Sequence, residues 1–140
     1  MLVWPYHGLA DKYCPLRRRV MVGRHVIAEV YQVASELTTD SRRLSGLLCE
    51  AAGRAGATVL HCFFHDFEPK DGLGVAGVTG VIALAESHIS VHTWPELGYM
   101  ALDVFMCGDA DPERVLEALR EAGLGEMDYK VISRPFMEHE

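Results

Sequence analysis

The sequence predicts an α+β fold, a two-layer sandwich with one antiparallel sheet and two helices on a single face. Three observations lead there. Apolar residues alternate with period two in several segments, and they recur at helical spacing in only two others. The gaps between the middle strand segments are too short for a crossover, so those strands pair antiparallel. At 140 residues the chain has material for one core and no second domain.

Residues 1–20 hold Pro5, Gly8, Pro15 and the Arg17-Arg18-Arg19 triplet without steady periodicity, and read as an irregular arm. A single α+β domain over 21–140 follows. From Arg24 onward Val26, Ala28 and Val30 alternate with His25, Ile27, Glu29 and Tyr31, a strand pattern. Over 39–55 the period changes: Leu44, Leu47, Leu48, Ala51, Ala52 and Ala55 line one helix face. Thr39, Asp40 or Ser41 caps its start, and Gly56 ends it in a left-handed conformation. Residues 58–67 are rich in β-branched and aromatic types and form a strand, and Pro69–Gly74 a loop. Strands at about 77–85, 87–94 and 99–107 come next, with a turn at Pro95–Gly98. Asp109 or Asp111 with Pro112 starts a second helix, which buries Val115, Leu116 and Leu119 and stops at Gly123. A last strand covers about 128–134, giving the order β-α-β-β-β-β-α-β.

Composition narrows the function. The formal net charge of −7 argues against a nucleic-acid binder, whose footprint is a basic patch. No apolar run is long enough to span a bilayer and the N-terminus lacks signal-peptide character, so the expected location is cytoplasmic. Cys14, Cys49, Cys62 and Cys107 show no paired zinc spacing and read as thiols. The strand faces are unequal. Met100, Leu102, Val104 and Met106 lie opposite Ala101, Asp103, Phe105 and Cys107, and Ile89 and Val91 lie opposite His88, Ser90, His92 and Trp94. His61, His65 and Phe67 share a face as well. Two helices cover one side only, so a ligand or a second copy is expected on the other, which points to a homodimer.

No metal site is expected. His88 and His92 stand roughly 13 Å apart along a strand at ~3.3 Å per residue, too far to share an ion, and His61 and His65 repeat that spacing. Ser87 beside His88 and Cys107 before Gly108 are weak signals when taken singly, since turn serines and buried thiols are common.

The continuous segment Ala85-Glu86-Ser87-His88-Ile89-Ser90-Val91-His92-Thr93-Trp94-Pro95-Glu96 is another matter. It strongly resembles the self-processing segment of the prokaryotic S-adenosylmethionine decarboxylases, pyruvoyl-dependent enzymes of polyamine biosynthesis. Asp103–Gly108, Gly23-Arg24-His25 with Ala28-Glu29 and Tyr31, and His65-x-Phe67-x-Pro69 extend the resemblance over about residues 22–134.

The resemblance implies autocatalytic serinolysis. The Ser87 hydroxyl attacks the Glu86 carbonyl, and the resulting ester eliminates and hydrolyses. The products are a β chain of residues 1–86 and an α chain of 87–140 that begins with a pyruvoyl group. That group binds the substrate amine as a Schiff base and serves as the electron sink, the task pyridoxal phosphate performs elsewhere. His92 matches the processing base, and Cys107 matches the thiol that later protonates the product carbanion. Glu96 matches the carboxylate that accepts the ribose hydroxyls, and Phe67 matches an aromatic that stacks adenine. The implied reaction converts S-adenosylmethionine to the aminopropyl donor for spermidine, and the implied sheets pair across a homodimer.

Two departures bear on that expectation. Thr79 stands in Gly77-Val78-Thr79-Gly80 where the family usually has serine; it keeps the hydroxyl that assists processing but is stiffer at χ1. About six extra residues follow Pro69, near the expected pocket. Arginine or ornithine therefore remains as an alternative substrate for the same chemistry, and a non-catalytic partner subunit as an alternative role.

Overall fold

Residues 22–135 are described by the structure, a computed structural model; the expected arm over 1–20, with its arginine triplet, lies outside them. The alternating segments become strands β1 (Val22–Tyr31), β2 (Val59–Asp66), β3 (Val78–Leu84), β4 (Ser87–Trp94), β5 (Tyr99–Met106) and β6 (Glu126–Pro135). They form one sheet in the order β2-β3-β4-β5-β1-β6, with every neighbouring pair antiparallel. The first strand is thus threaded between the last two.

The helices are α1 (Ser35–Thr38), α2 (Ser41–Arg54) and α3 (Pro112–Glu121). The single turn α1 was not expected, because four residues are too few to show a period. Asp40 caps α2 by accepting the N–H groups of Arg42 and Arg43. Asp111 caps α3 by accepting from Glu113, with Pro112 at the first helical position. Gly56 and Gly123 follow the two helices with φ of +82° and +74°, where a side chain would be strained.

Parity assigns the layers. Val26, Val30, Ile82, Ile89, Leu102 and Val104 face the helices and are buried with Leu44 and Leu48 of α2 and Leu116 and Leu119 of α3. Each such side chain stabilises the fold by about 1.5–3 kcal/mol. The opposite face carries the polar rows. One runs His61, Ala83, His88, Phe105, His25 across five strands; another runs His65, Thr79, His92, Ala101, Glu29. Among the described residues no helix covers this face, and Phe63 and Val81 are 60% and 45% exposed on it. The two-layer α+β class is as expected. Among the described residues no helix is long and apolar enough to cross a membrane.

Candidate active site

Chemistry-bearing residues gather at both ends of β4. At its start, β3 and β4 are joined by Ala85 and Glu86 alone, so the Glu86–Ser87 peptide lies at a tight hairpin. Glu86 is buried, and its carboxylate accepts the Thr58 N–H at 2.9 Å, which anchors the junction to the start of the neighbouring strand. Its backbone carbonyl oxygen accepts twice from one residue: the Cys107 N–H at 3.2 Å and the Cys107 thiol at 3.0 Å. Antiparallel pairing of Ser87 with Met106 brings Cys107, the next residue, to that position. Two donors aimed at one carbonyl oxygen polarise it and hold it where negative charge would build during attack on the carbon.

A histidine cluster borders this end. His88 packs edge-on to Phe105 and His25 at centroid distances of 5.8 and 6.5 Å, and His25 shares a hydrogen bond of 3.0 Å with Asp103. Burial lowers the His88 pKa, helped by the charges of His25 and Arg134 and opposed by Asp103. Arg134 lies over the Phe105 ring at 4.3 Å.

At the far end of β4 a cavity of about 570 Å³ opens between the strand ends and the loop after Pro69. Phe67, Thr79, His92 and Glu96, four residues singled out from the sequence, all line it, together with Trp94. Thr79 Oγ1 and His92 Nδ1 share a hydrogen bond of 2.5 Å, set by the Thr79–His92 register of β3 and β4. Phe67 stands 52% exposed, edge-on to His65. Lys70 and Val75 show that the extra residues build part of the wall.

Thr93 is a contributor that sequence reasoning missed. Its buried hydroxyl accepts the Val78 N–H at 2.7 Å and donates to the Thr38 carbonyl at 2.6 Å, joining α1, β3 and β4 directly behind the cavity. Asp66 was missed too; it accepts from the Ser41 N–H and hydroxyl at 2.9 and 2.7 Å and pins the end of β2 beside Phe67. Only alternation could have flagged Thr93, as a hydroxyl at an inward-facing position of β4.

The two clusters are not brought together within one chain. Ser87 and His92 are five positions apart on one strand, roughly 16 Å at ~3.3 Å per residue, and an odd separation turns them to opposite faces. Among the described residues no three His, Cys, Asp or Glu side chains converge on a possible metal position.

Fold and site together define the class: a one-domain α+β sandwich enzyme with hydroxyl, thiol and imidazole groups at the ends of its central strands. Comparison with known proteins gives the family. The family profile described as S-adenosylmethionine decarboxylase matches residues 24–135. An S-adenosylmethionine decarboxylase proenzyme from Synechococcus sp. (strain WH7803) is 49% identical over 102 residues, 72% of this chain and 75% of that protein. One from Syntrophomonas wolfei is 40% identical over 119 residues, 84% of this chain and 90% of its own. The crystal structure of the adenosylmethionine decarboxylase from Aquifex aeolicus superposes with a TM-score of 0.71 at 31% identity, covering 87% of this chain and 98% of that one. The chain belongs to the S-adenosylmethionine decarboxylase family.

Proposed function

We propose that this chain is a proenzyme that cuts its own Glu86–Ser87 peptide and then decarboxylates S-adenosylmethionine, yielding the aminopropyl donor for spermidine synthesis in the cytoplasm. The observation that carries the reading is the carbonyl oxygen of the Glu86–Ser87 peptide, held by both donors of Cys107. Attack of Ser87 Oγ on the Glu86 carbonyl carbon breaks the C–N bond and leaves Glu86 esterified to Ser87. Loss of the Ser87 Cα proton then expels the Glu86 carboxylate, and water replaces the nitrogen, which departs as ammonia. The Cys107 donors stabilise the oxygen that carries charge in the first step.

The residues present suit a pyruvoyl group at position 87, because the serine that would form it follows a carbonyl held in this way. Such a group supplies a ketone carbonyl that captures the substrate amine and accepts the electron pair released with CO₂. Cys107 Sγ, already turned toward this junction, is placed to return a proton to the substrate carbon. Phe67 offers an aromatic face to adenine and Glu96 two acceptor oxygens to the ribose diol. The −7 net charge favours a cationic sulfonium substrate.

The processing base, His92 with Thr79, lies at the wrong end of the strand to serve Ser87 of its own chain. A homodimer with the two open sheet faces stacked and the strands of one copy running opposite to the other closes this distance. Cys107, on the open face by alternation, holds the Glu86 carbonyl, so the scissile peptide is reached from that face although the Ser87 side chain begins β4 turned the other way. Such a dimer lays the start of one β4 over the end of the other, and it covers Phe63 and Val81. The site is then shared: Glu86, Ser87 and Cys107 from one chain, with His92, Thr79, Phe67 and Glu96 of the partner subunit.

Intact mass of the purified chain tests the first step, with fragments 1–86 and 87–140 expected and a ketone-reactive terminus on the second. A chain that stays whole overturns the proposal, as does decarboxylation by Ser87→Ala. Labelled CO₂ release from S-adenosylmethionine, against arginine and ornithine, tests the substrate. Co-expression of Ser87→Ala with His92→Ala tests sharing. The His92→Ala chain should be cut only in the mixed dimer, and its failure to be cut there overturns the shared site.

A further inference from the structure

Helix α2 and edge strand β2 meet at two cysteines. Cys49 of α2 and Cys62 of β2 face each other in the helix-to-sheet layer with their sulfurs 3.2 Å apart. That is closer than the roughly 3.5–4.0 Å at which even carbon atoms rest. Both are half-buried, so a small oxidant reaches them without unfolding. Among the described residues strand β2 has a sheet neighbour on one side only, and it runs directly into Phe67 on the cavity wall. Its end is tied to the start of α2 by the Asp66–Ser41 hydrogen bonds, while the main chain joins the two elements only at their other ends, through residues 55–58.

We infer that Cys49 and Cys62 form a dithiol–disulfide couple, oxidised by a low-molecular-weight disulfide, that staples β2 to α2. The Cys62 thiolate attacks one sulfur of the oxidant, whose S–S bond breaks and releases one thiol. Cys49 then attacks Cys62 Sγ, forming the protein disulfide and releasing the second thiol. Two electrons pass from the pair to the oxidant, and the two thiol protons end on its products. The order follows from the surroundings: burial, the hydrogen bond to Cys62 and the Cys62 charge push the Cys49 thiol up to about 11, which makes it the slower nucleophile. The bond closes a span of 13 positions.

The test compares the full chain reduced with dithiothreitol against the chain equilibrated with glutathione disulfide, followed by alkylation and peptide mass mapping. A Cys49–Cys62 cross-linked peptide, lighter by two hydrogens and restored by dithiothreitol, is expected. The melting temperature should rise by roughly 10 °C in the oxidised chain. Cys49→Ser should hold glutathione on Cys62, Cys62→Ser should leave Cys49 unmodified, and neither should show the rise. Separate glutathione adducts on both cysteines of the parent chain, or cross-links of either one to Cys14 or Cys107, would overturn the inference. None of these readouts uses decarboxylation or self-cleavage, so the result stands apart from the proposed function.

Discussion

Replacing Thr93 by valine keeps its shape and removes one oxygen that serves two partners. That oxygen accepts the Val78 N–H at 2.7 Å and donates to the Thr38 carbonyl at 2.6 Å, and the residue is only 7% exposed. Valine therefore orphans a buried N–H, at about 1–3 kcal/mol, and strips the Thr38 carbonyl of its hydroxyl partner, at roughly 1 kcal/mol more. The sum is about 2–4 kcal/mol. At roughly 4 °C per kcal/mol for a domain of this size, the melting temperature should fall by roughly 8–16 °C. Thr93→Ser keeps the hydroxyl and loses one methyl, about 1 kcal/mol or roughly 4 °C. Thermal melts of the Ser87→Ala background followed by circular dichroism separate the two without interference from cleavage. If the valine variant melts within about 2 °C of its parent, or serine costs as much as valine, the hydroxyl does not hold these elements together.

Three further outcomes follow from the same geometry. A Cβ on Gly77 would lie 2.2 Å from the Thr93 carbonyl oxygen, so Gly77→Ala should destabilise by about 3 kcal/mol in urea unfolding. Gly80→Ala meets the ring of the partly buried Phe64, a side chain rather than backbone, and should cost less. His88 is held below its ordinary pKa, chiefly by burial, so the unfolded chain binds the extra proton first as pH falls. Stability should therefore be full above about pH 6.5 and decline below it, and the urea midpoint difference between pH 7.5 and 5.5 should shrink in His88→Gln. Cys107→Ala removes one of the two donors to the Glu86 carbonyl and leaves the N–H; self-cleavage followed by intact mass should slow by roughly ten- to a hundredfold, a thiol being a weak donor.

The parts of the fold legible in the sequence were those encoded locally. Alternation in β4 and β5 placed Ile89, Val91, Leu102 and Val104 inward, and Asp40, Asp111, Gly56 and Gly123 marked helix ends where the structure has them. The insertion of β1 between β5 and β6 was not legible, since strands joined by long connections leave no local signature of their partners. The same limit hid the contact of Cys49 with Cys62 and the anchoring of Glu86 by Thr58. Of the candidate site, Phe67, Thr79, His92 and Glu96 were singled out separately by the resemblance, and the fold brings all four to the wall of one cavity. Their distance from Ser87 required the spacing arithmetic that kept His88 and His92 from sharing an ion. A motif read as a string of letters does not show which of its residues stand at opposite ends of a strand.

The strand order has a consequence for any cut at the β3–β4 hairpin. The piece ending at Glu86 would contribute β1, β2 and β3, and the piece beginning at Ser87 would contribute β4, β5 and β6. Because β1 is clasped on both edges by strands of the second piece, the two would be interlaced and held by three sheet seams: β3 with β4, β1 with β5, and β1 with β6. Neither could slide away without dismantling the sheet. The cost would come on unfolding. A whole chain needs no second fragment to rebuild its sheet, whereas severed halves must find each other again, so recovery of the sheet would become concentration-dependent. The uncut chain is thus the form able to fold, and the cut form can only last as long as it stays folded.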